Sequence, residues 1–178
     1  MNSAPSTTTV PETSQPGPGR TIFWAALICG TMDISAAFVS AGLNGMNPAQ
    51  LLRAVASAPL GAAAREGGLG TAAFGLALHY AIATGWTTLF YQLSRSRPVL
   101  TRQPVVSGLL YGTFVYLCMN LAVVPFALWF RRLYVESATA YVYAPRLAWL
   151  QYVIILGCIG LPIAFTVRWF DRRGGRAG

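Results

Sequence analysis

Three residues with polar side chains, Asp33, His79 and Asn120, each lie near the middle of a separate apolar stretch. An aspartate at the centre of a membrane-spanning helix costs about 2.5 to 3.5 kcal/mol on insertion scales, so such residues usually face the interior of a helix bundle. Tyr116 lies one helical turn before Asn120 and therefore shares its helix face. These four residues form the predicted intramembrane polar site.

Two interpretations of this site stay open. In the functional one, Asp33 and His79 carry or sense a proton, and Asn120 with Tyr116 completes a site for a small ligand or ion. In the structural one, the polar groups are hydrogen bonds between helices that fix their register, each worth about 0.6 to 2 kcal/mol. At a rise of about 1.5 Å per residue, Asp33 and His79 come to similar depths of roughly 18 and 20 Å in their spans, so a direct contact is geometrically feasible.

The composition indicates a membrane protein. Hydrophobic residues make up 54% of the chain, charged residues only 10% and the mean hydropathy is +0.50, whereas soluble domains carry about 25% charged residues. A helix needs about 20 apolar residues to cross the hydrocarbon core, and four stretches are long enough: residues 21–43, 69–92, 104–130 and 147–170. In the strands of a membrane barrel, apolar and polar residues alternate with a period of two. Residues 153–157 do not show this alternation. The predicted fold is all-α, an integral membrane four-helix bundle.

A short helix is predicted between spans one and two. Asn47 suits the N-cap, Pro48 the first helical position and Gln50 the third, which together predict a capping box. The segment is too short to span, so we expect it to lie in the membrane interface; a loop helix packed on the bundle is the alternative.

Prolines and glycines modify the later spans. Pro125 and Pro162 lie inside spans three and four, where the missing N–H and the ring clash predict a kink in each helix. Gly108 and Gly112 have the GxxxG spacing of close helix contacts, although this spacing alone does not identify a partner helix.

The charge pattern predicts orientation and partners. The net charge of +8 comes from thirteen arginines and no lysine, and the arginines flank the spans, which favours membrane lipid rather than nucleic acid as the partner. The positive-inside rule favours both termini in the cytoplasm, because eight arginines then lie inside and five outside: Arg20, Arg95, Arg97, Arg102, Arg168, Arg172, Arg173 and Arg176 against Arg53, Arg65, Arg131, Arg132 and Arg146. The difference is small, so dual insertion stays open. Residues 1–20 form a predicted disordered tail, and residues 171–178 a basic C-terminal tail.

Neither a cofactor nor a metal site is predicted. Cys29, Cys118 and Cys158 each fall within a predicted span and lack metal-ligand spacing, and the chain has a single histidine. The sequence has no GxSxG elbow, no phosphate-binding loop before a lysine and no acidic cluster, so we do not expect an enzyme.

Two hypotheses about function remain. The leading one is a non-enzymatic multi-pass membrane protein whose polar centre either organises the bundle or supports proton-linked transport of a small solute. The alternative is an accessory membrane subunit that binds a partner protein or anionic lipid through the helix near Leu51 and the arginine-rich C-terminus. A homo-oligomer or a partner membrane protein is compatible with both.

Four segments carry a family resemblance: GTMDISAAF at 30–38, NPAQLLRAVASAPLG at 47–61, GLALHYAIA at 75–83 and YGTFVYLCMNLAVVPF at 111–126. They resemble uncharacterised small four-span bacterial inner-membrane proteins, and the layout is loosely similar to the YagU-like inner-membrane family. The resemblance covers about residues 21–130. It implies the fold class and a location in the bacterial inner membrane, and it brings no assigned activity or functional residue.

Overall fold

The structure, a computed structural model, describes residues 17–133 and 148–174, and every regular element within them is helical. The helices are α1 (Pro18–Leu43), α2 (Pro48–Leu60), α3 (Leu69–Ser96), α4 (Val99–Arg102), α5 (Pro104–Arg132) and α6, which comprises Trp149–Ile155, Leu156–Gly160 and Leu161–Gly174. A 3₁₀ turn, Ala62–Glu66, joins α2 to α3. Residues 1–16 of the predicted N-terminal tail, residues 175–178 of the C-terminal tail and Leu147 lie outside the described residues.

Three helices of the described residues are long and apolar enough to cross a membrane: α1, α5 and α6. They coincide with predicted spans one, three and four, so the chain is a membrane protein whose described residues form helices and no strands. Helix α3 has 28 residues and coincides with predicted span two, but it is not among these three. Its hydropathy is lowered by His79 and by several threonines, namely Thr71, Thr84, Thr87 and Thr88.

Helix α2 begins with the predicted capping box. The Asn47 side chain accepts from the Gln50 backbone N–H at 2.9 Å, and the Gln50 side chain accepts from the Asn47 N–H at 2.8 Å. Instead of standing apart, α2 packs across α3, where the carbonyl oxygen of Leu52 occupies the space that a Cβ on Gly75 would need. Glycine at position 75 is therefore what lets the two helices touch.

Helices α5 and α6 change their winding just before an internal proline. A π turn, Met119–Val123, precedes Pro125 in α5, and a second one, Leu156–Gly160, precedes Pro162 in α6. Proline lacks an N–H, and its ring clashes with the carbonyl four residues earlier. A π turn shifts the hydrogen bonds to the i−5 carbonyl, as in Val124 N–H to Met119 O, and so accommodates the proline. Each of the two prolines is thus preceded by a π turn, and the predicted kink stays a prediction.

The long helices pack antiparallel to their neighbours. Gly30 of α1 lies against Tyr80 and Ala83 of α3, and Phe90 near the far end of α3 stacks edge-on with Tyr111 of α5 at 4.9 Å between ring centroids. The Tyr111 hydroxyl also donates to the Trp86 carbonyl of α3 at 2.6 Å. Phe90 is fully buried at the centre of the core, whose other members are mostly small or β-branched.

Helices α5 and α6 meet through glycine. A Cβ on Gly108 would lie 2.9 Å from the Gly160 carbonyl oxygen, and one on Gly112 would lie 2.9 Å from the Leu156 side chain. In lipid there is little hydrophobic drive between helices, so close backbone packing of this kind holds them together. The GxxxG spacing of α5 therefore finds its partner in the π turn of α6.

We expect Gly160→Ala to destabilise the fold and Gly157→Ala to leave it nearly unchanged. A methyl group at position 160 would collide with the Gly108 carbonyl and with Gly112 Cα, whereas position 157 in the same π turn faces open space. Overpacking costs about 1 to 3 kcal/mol. Thermal unfolding of both variants in detergent measures the difference, and an equal loss of stability in the two would show that α5 and α6 do not approach at Gly160.

Candidate functional site

The candidate site lies between α1 and α3. The Asp33 carboxylate oxygen Oδ2 is 4.0 Å from His79 Nδ1, and the two side chains are only 20% and 14% exposed. Asp33 comes from the small-residue face of α1, and His79 lies opposite on α3 because Gly30 lets the two helices approach closely. The antiparallel pairing of α1 and α3 thus brings these two predicted site residues together.

A second hydrogen bond fixes the His79 ring. His79 Nε2 lies 2.9 Å from the Gly30 carbonyl oxygen, and because a carbonyl can only accept, Nε2 must carry a hydrogen. The other nitrogen, Nδ1, therefore faces Asp33 either as a lone pair or as a second N–H. Which form is present depends on whether the imidazole is neutral or protonated.

The geometry of the pair makes one combination of charges unfavourable. Neutral His79 beside ionised Asp33 would set the Nδ1 lone pair against a carboxylate oxygen, which is unfavourable. One proton on either atom removes this conflict, giving neutral Asp33 with neutral His79 or the ion pair. At 4.0 Å the two atoms are too far apart for a direct hydrogen bond.

Further polar contacts join the same two helices. The Thr31 and Tyr80 hydroxyls are 2.9 Å apart, and the Cys29 sulfur is 3.6 Å from the Thr87 hydroxyl. A Cβ on Gly30 would meet the Tyr80 ring at 2.9 Å. Sequence reasoning missed Thr31 and Tyr80, although each is near a predicted site residue and has a hydroxyl inside an apolar stretch.

The pair lines a cavity of about 580 Å³. Asp33 is the one acidic residue among the described residues that line it, and most of the others are apolar: Ile34, Leu51, Val55, Ile82, Trp86, Val115, Met119, Ile154, Ile155 and Ile159. The lining continues to Asn44 at the end of α1 and to Ala148 just before α6, so the cavity extends from the middle of the bundle to that end. Gln151, a polar residue in the first turn of α6, also lines it and was not predicted.

Asn120 and Tyr116 lie elsewhere. The Asn120 side chain is buried and donates to the Tyr116 carbonyl of its own helix at 2.9 Å. The Tyr116 hydroxyl donates to the Ala148 carbonyl at 3.3 Å, and its ring stacks with Tyr152. Neither residue lines the cavity, so the structure brings together only two of the four predicted site residues.

The local role of Asn120 follows from its position in the π turn Met119–Val123. Its amide donates to the Tyr116 carbonyl, which also accepts from the Met119 backbone N–H. The Asn120 side chain is therefore satisfied within its own helix, at the point where the π turn begins. Tyr116 has a comparable structural role, because it ties α5 to the start of α6.

The residues present do not assemble a metal site within the described ranges. There is no group of three or more histidine, cysteine or acidic side chains placed to hold a metal ion, and the three cysteines are free thiols. The chemistry that the site offers is instead proton exchange beside an apolar cavity that contains one carboxylate.

The sequence matches no protein-family model, no curated protein and no solved structure. The resemblance to small four-span inner-membrane proteins therefore stays a prediction, and the function has to be argued from the geometry.

We expect Asp33→Asn and His79→Gln to cost little stability and to couple weakly. The pair is separated by 4.0 Å and borders a cavity, and glutamine retains an amide donor for the Gly30 carbonyl. A double-mutant cycle of unfolding in detergent should give a coupling free energy below about 1 kcal/mol. Loss of a buried ion pair that holds the fold would instead cost about 3 to 5 kcal/mol, and that result would make the pair structural.

Proposed function

We propose that this protein is a non-enzymatic, multi-pass transport protein of the bacterial inner membrane, in which Asp33 and His79 couple proton exchange to the binding of a small cationic solute. The observation that carries the proposal is the position of the pair in the wall of a cavity of about 580 Å³. A pair that served only as a contact between helices would be packed on all sides, whereas this pair faces a space large enough for a ligand.

The lining defines the class of solute. A single carboxylate favours one positive charge, and the aliphatic side chains favour an apolar body. Trp86 presents an indole ring to the same cavity, and indole is the best aromatic partner for a cation. A small apolar molecule with one amine or quaternary ammonium group combines these features.

Proton coupling follows from competition for Asp33. The groups that face this carboxylate are His79 at 4.0 Å and, within electrostatic range, the Cys29 and Cys158 thiols. When the cation binds to the Asp33 carboxylate, the proton carried by Asp33 or by His79 is no longer favoured there and leaves. Protonation of the pair then displaces the cation, which is the exchange that a proton-driven exporter needs.

In this proposed arrangement α3 is a fourth span. Its 28 residues reach about 42 Å at 1.5 Å per residue, and it pairs with α1 through Gly30, Thr31 and Cys29. Among the polar groups that lower its hydropathy, His79 and Thr87 contact α1. The Thr84 and Thr88 hydroxyls donate to the backbone of α3 itself. On this arrangement α2 lies at the outer interface, and the cavity extends toward the outer side.

The accessory-subunit alternative receives less support from α2. Its Leu51 and Val55 line the cavity, and its Leu52 carbonyl packs on Gly75. The apolar face that was expected to meet a partner protein is therefore used inside the molecule.

The cation tetraphenylphosphonium should bind to the purified protein with an affinity that rises with pH, because fewer protons then compete for Asp33. Calorimetric titration in buffers of different ionisation enthalpy should show release of about one proton per cation. Asp33→Asn should weaken binding by at least about tenfold.

The control for this experiment is Asp171→Asn, the same chemical change at an exposed carboxylate near the end of α6. It should leave the affinity unchanged. A pH-independent affinity, or an Asp33→Asn variant that binds as well as the unaltered protein, would eliminate proton-coupled cation binding at this site.

The number of spans has a separate test. A fluorescent reporter that folds only in the cytoplasm, fused in turn to the N-terminus and the C-terminus, should fluoresce in both fusions, because an even number of spans returns the chain to the same side. Fluorescence from one fusion only would mean that α3 does not cross and that the protein has three spans.

A further inference from the structure

A second concave site lies at the opposite end of the molecule from the Asp33–His79 cavity. It is a groove of about 960 Å³ where α1 and α5 begin and α6 ends. The face of α1 and the face of α6 that form its walls each contribute arginine, tryptophan and apolar side chains. Its main lining residues are Arg20, Trp24, Ile28, Phe165, Arg168 and Arg172.

The α1 wall changes character with depth. Arg20, Trp24 and Ile28 follow each other at intervals of four residues and so share one helix face. Arg20 lies in the first turn of the helix, and Ile28 lies about 12 Å further along at 1.5 Å per residue. This face therefore passes from a cation through an amphipathic indole to an aliphatic side chain.

The α6 wall repeats this order, although α6 runs in the opposite direction. Arg172 is in the last turn, Arg168 and Trp169 are one turn earlier, and Phe165 is about 10 Å deeper than Arg172. The Arg173 guanidinium covers the Trp169 ring at 3.7 Å from its centroid. The two helices run in opposite directions, yet both present arginine, then tryptophan, then an apolar side chain over a similar depth.

The positive charge in the groove is not neutralised by an acidic side chain of the described residues. None of the described residues that line it is acidic, and no carboxylate of residues 17–133 or 148–174 forms an ion pair with its arginines. Arg168 is held in place by a hydrogen bond from Nη1 to the Arg102 carbonyl at 2.7 Å. The groove therefore offers three cationic groups at one end and exposed apolar side chains, such as Ile28 and Phe165, at the other.

We propose that this groove binds one phospholipid with an anionic headgroup. The phosphate lies among Arg20, Arg168 and Arg172, since guanidinium groups recognise phosphate oxygens with charge-assisted hydrogen bonds. The glycerol region lies beside the two tryptophans, which prefer the membrane interface, and an acyl chain follows Ile28 and Phe165 toward the centre of the bilayer.

The positive charge of the groove and its change from arginine to apolar side chains favour a lipid over other occupants. A second copy of the chain related by a two-fold axis would set arginine against arginine, which is repulsive. A soluble anion would use the arginines and leave the apolar half of the groove empty. The site goes beyond the proposed transport function, because it lies at the other end of the molecule and does not involve Asp33 or His79.

The test compares two lipids with identical dioleoyl chains on the delipidated full-length protein in detergent, with binding followed by native mass spectrometry. Phosphatidylglycerol should bind more tightly than phosphatidylcholine. Arg20→Gln with Arg172→Gln should weaken phosphatidylglycerol binding by about 25-fold, at roughly fivefold per arginine. Phosphatidylcholine binding should fall by much less, because its choline cation already offsets the charge of its phosphate. The side chains of these two arginines make no hydrogen bond or ion pair with the other described residues, so the double variant should fold.

The matched control is Arg95→Gln with Arg97→Gln, which removes the same charge at the same end of the molecule but outside the groove. It should weaken binding by less than about threefold, because it changes only the long-range potential. Equal binding of the two lipids, or equal losses in the two double variants, would overturn the proposal. It would also be overturned if glycerol 3-phosphate bound as tightly as the lipid, which would indicate a site for a soluble anion. Dissociation of a lipid-free dimer by the Arg20 and Arg172 substitutions would overturn it too, since the groove would then be a dimer interface.

Discussion

Close approach of helix backbones at glycine is the constraint on which this structure depends. Inside a membrane the lipid chains are as apolar as the side chains, so helices associate through packing and hydrogen bonds more than through the hydrophobic effect. Gly30 admits the Tyr80 ring, Gly75 admits the Leu52 carbonyl and Gly160 admits the backbone of α5. Each contact joins a different pair of helices, and the Gly30 contact brings His79 within reach of the α1 backbone.

The polar groups of the bundle are of two kinds: those at tight helix contacts and those beside the cavity. Those at tight contacts have partners, as the Tyr111 hydroxyl has in the Trp86 carbonyl and the Asn120 amide has in the Tyr116 carbonyl. Asp33 is different, because its nearest ionisable partner is 4.0 Å away and its side chain borders a cavity. A carboxylate that is costly to insert, yet is not used for packing, is best explained by a ligand or a proton.

The sequence was sufficient for features that depend on local chemistry. The lengths of the apolar stretches predicted where the long helices lie, and Asn47 with Gln50 predicted the start of α2. Periodicity also placed Asp33 on the small-residue face that meets α3. In each case the physical cause, whether hydropathy, capping or side-chain size, acts within a few turns of one helix.

Features that depend on several helices at once could not be predicted from the sequence. Asn120 has the composition of a site residue, but the π turn before Pro125 directs its amide to its own backbone. The crossing of α2 over α3 needs a carbonyl of one helix to meet a glycine of another. The cavity is formed by side chains of α1, α2, α3, α5 and α6, and no single segment contains a signal for its volume.

The cavity and the groove carry opposite charges, and this arrangement affects the path of a cation through the protein. The cavity carries its one carboxylate in mid-bundle, and the groove at the other end carries three arginines. A cation in the cavity is attracted to Asp33 but repelled by the arginine-rich end, so the field of the protein opposes its passage in that direction. An anionic lipid among those arginines would neutralise part of the repulsion. The lipid in the groove would therefore change the energy of a cation at Asp33 without touching it, which links the two sites through charge alone.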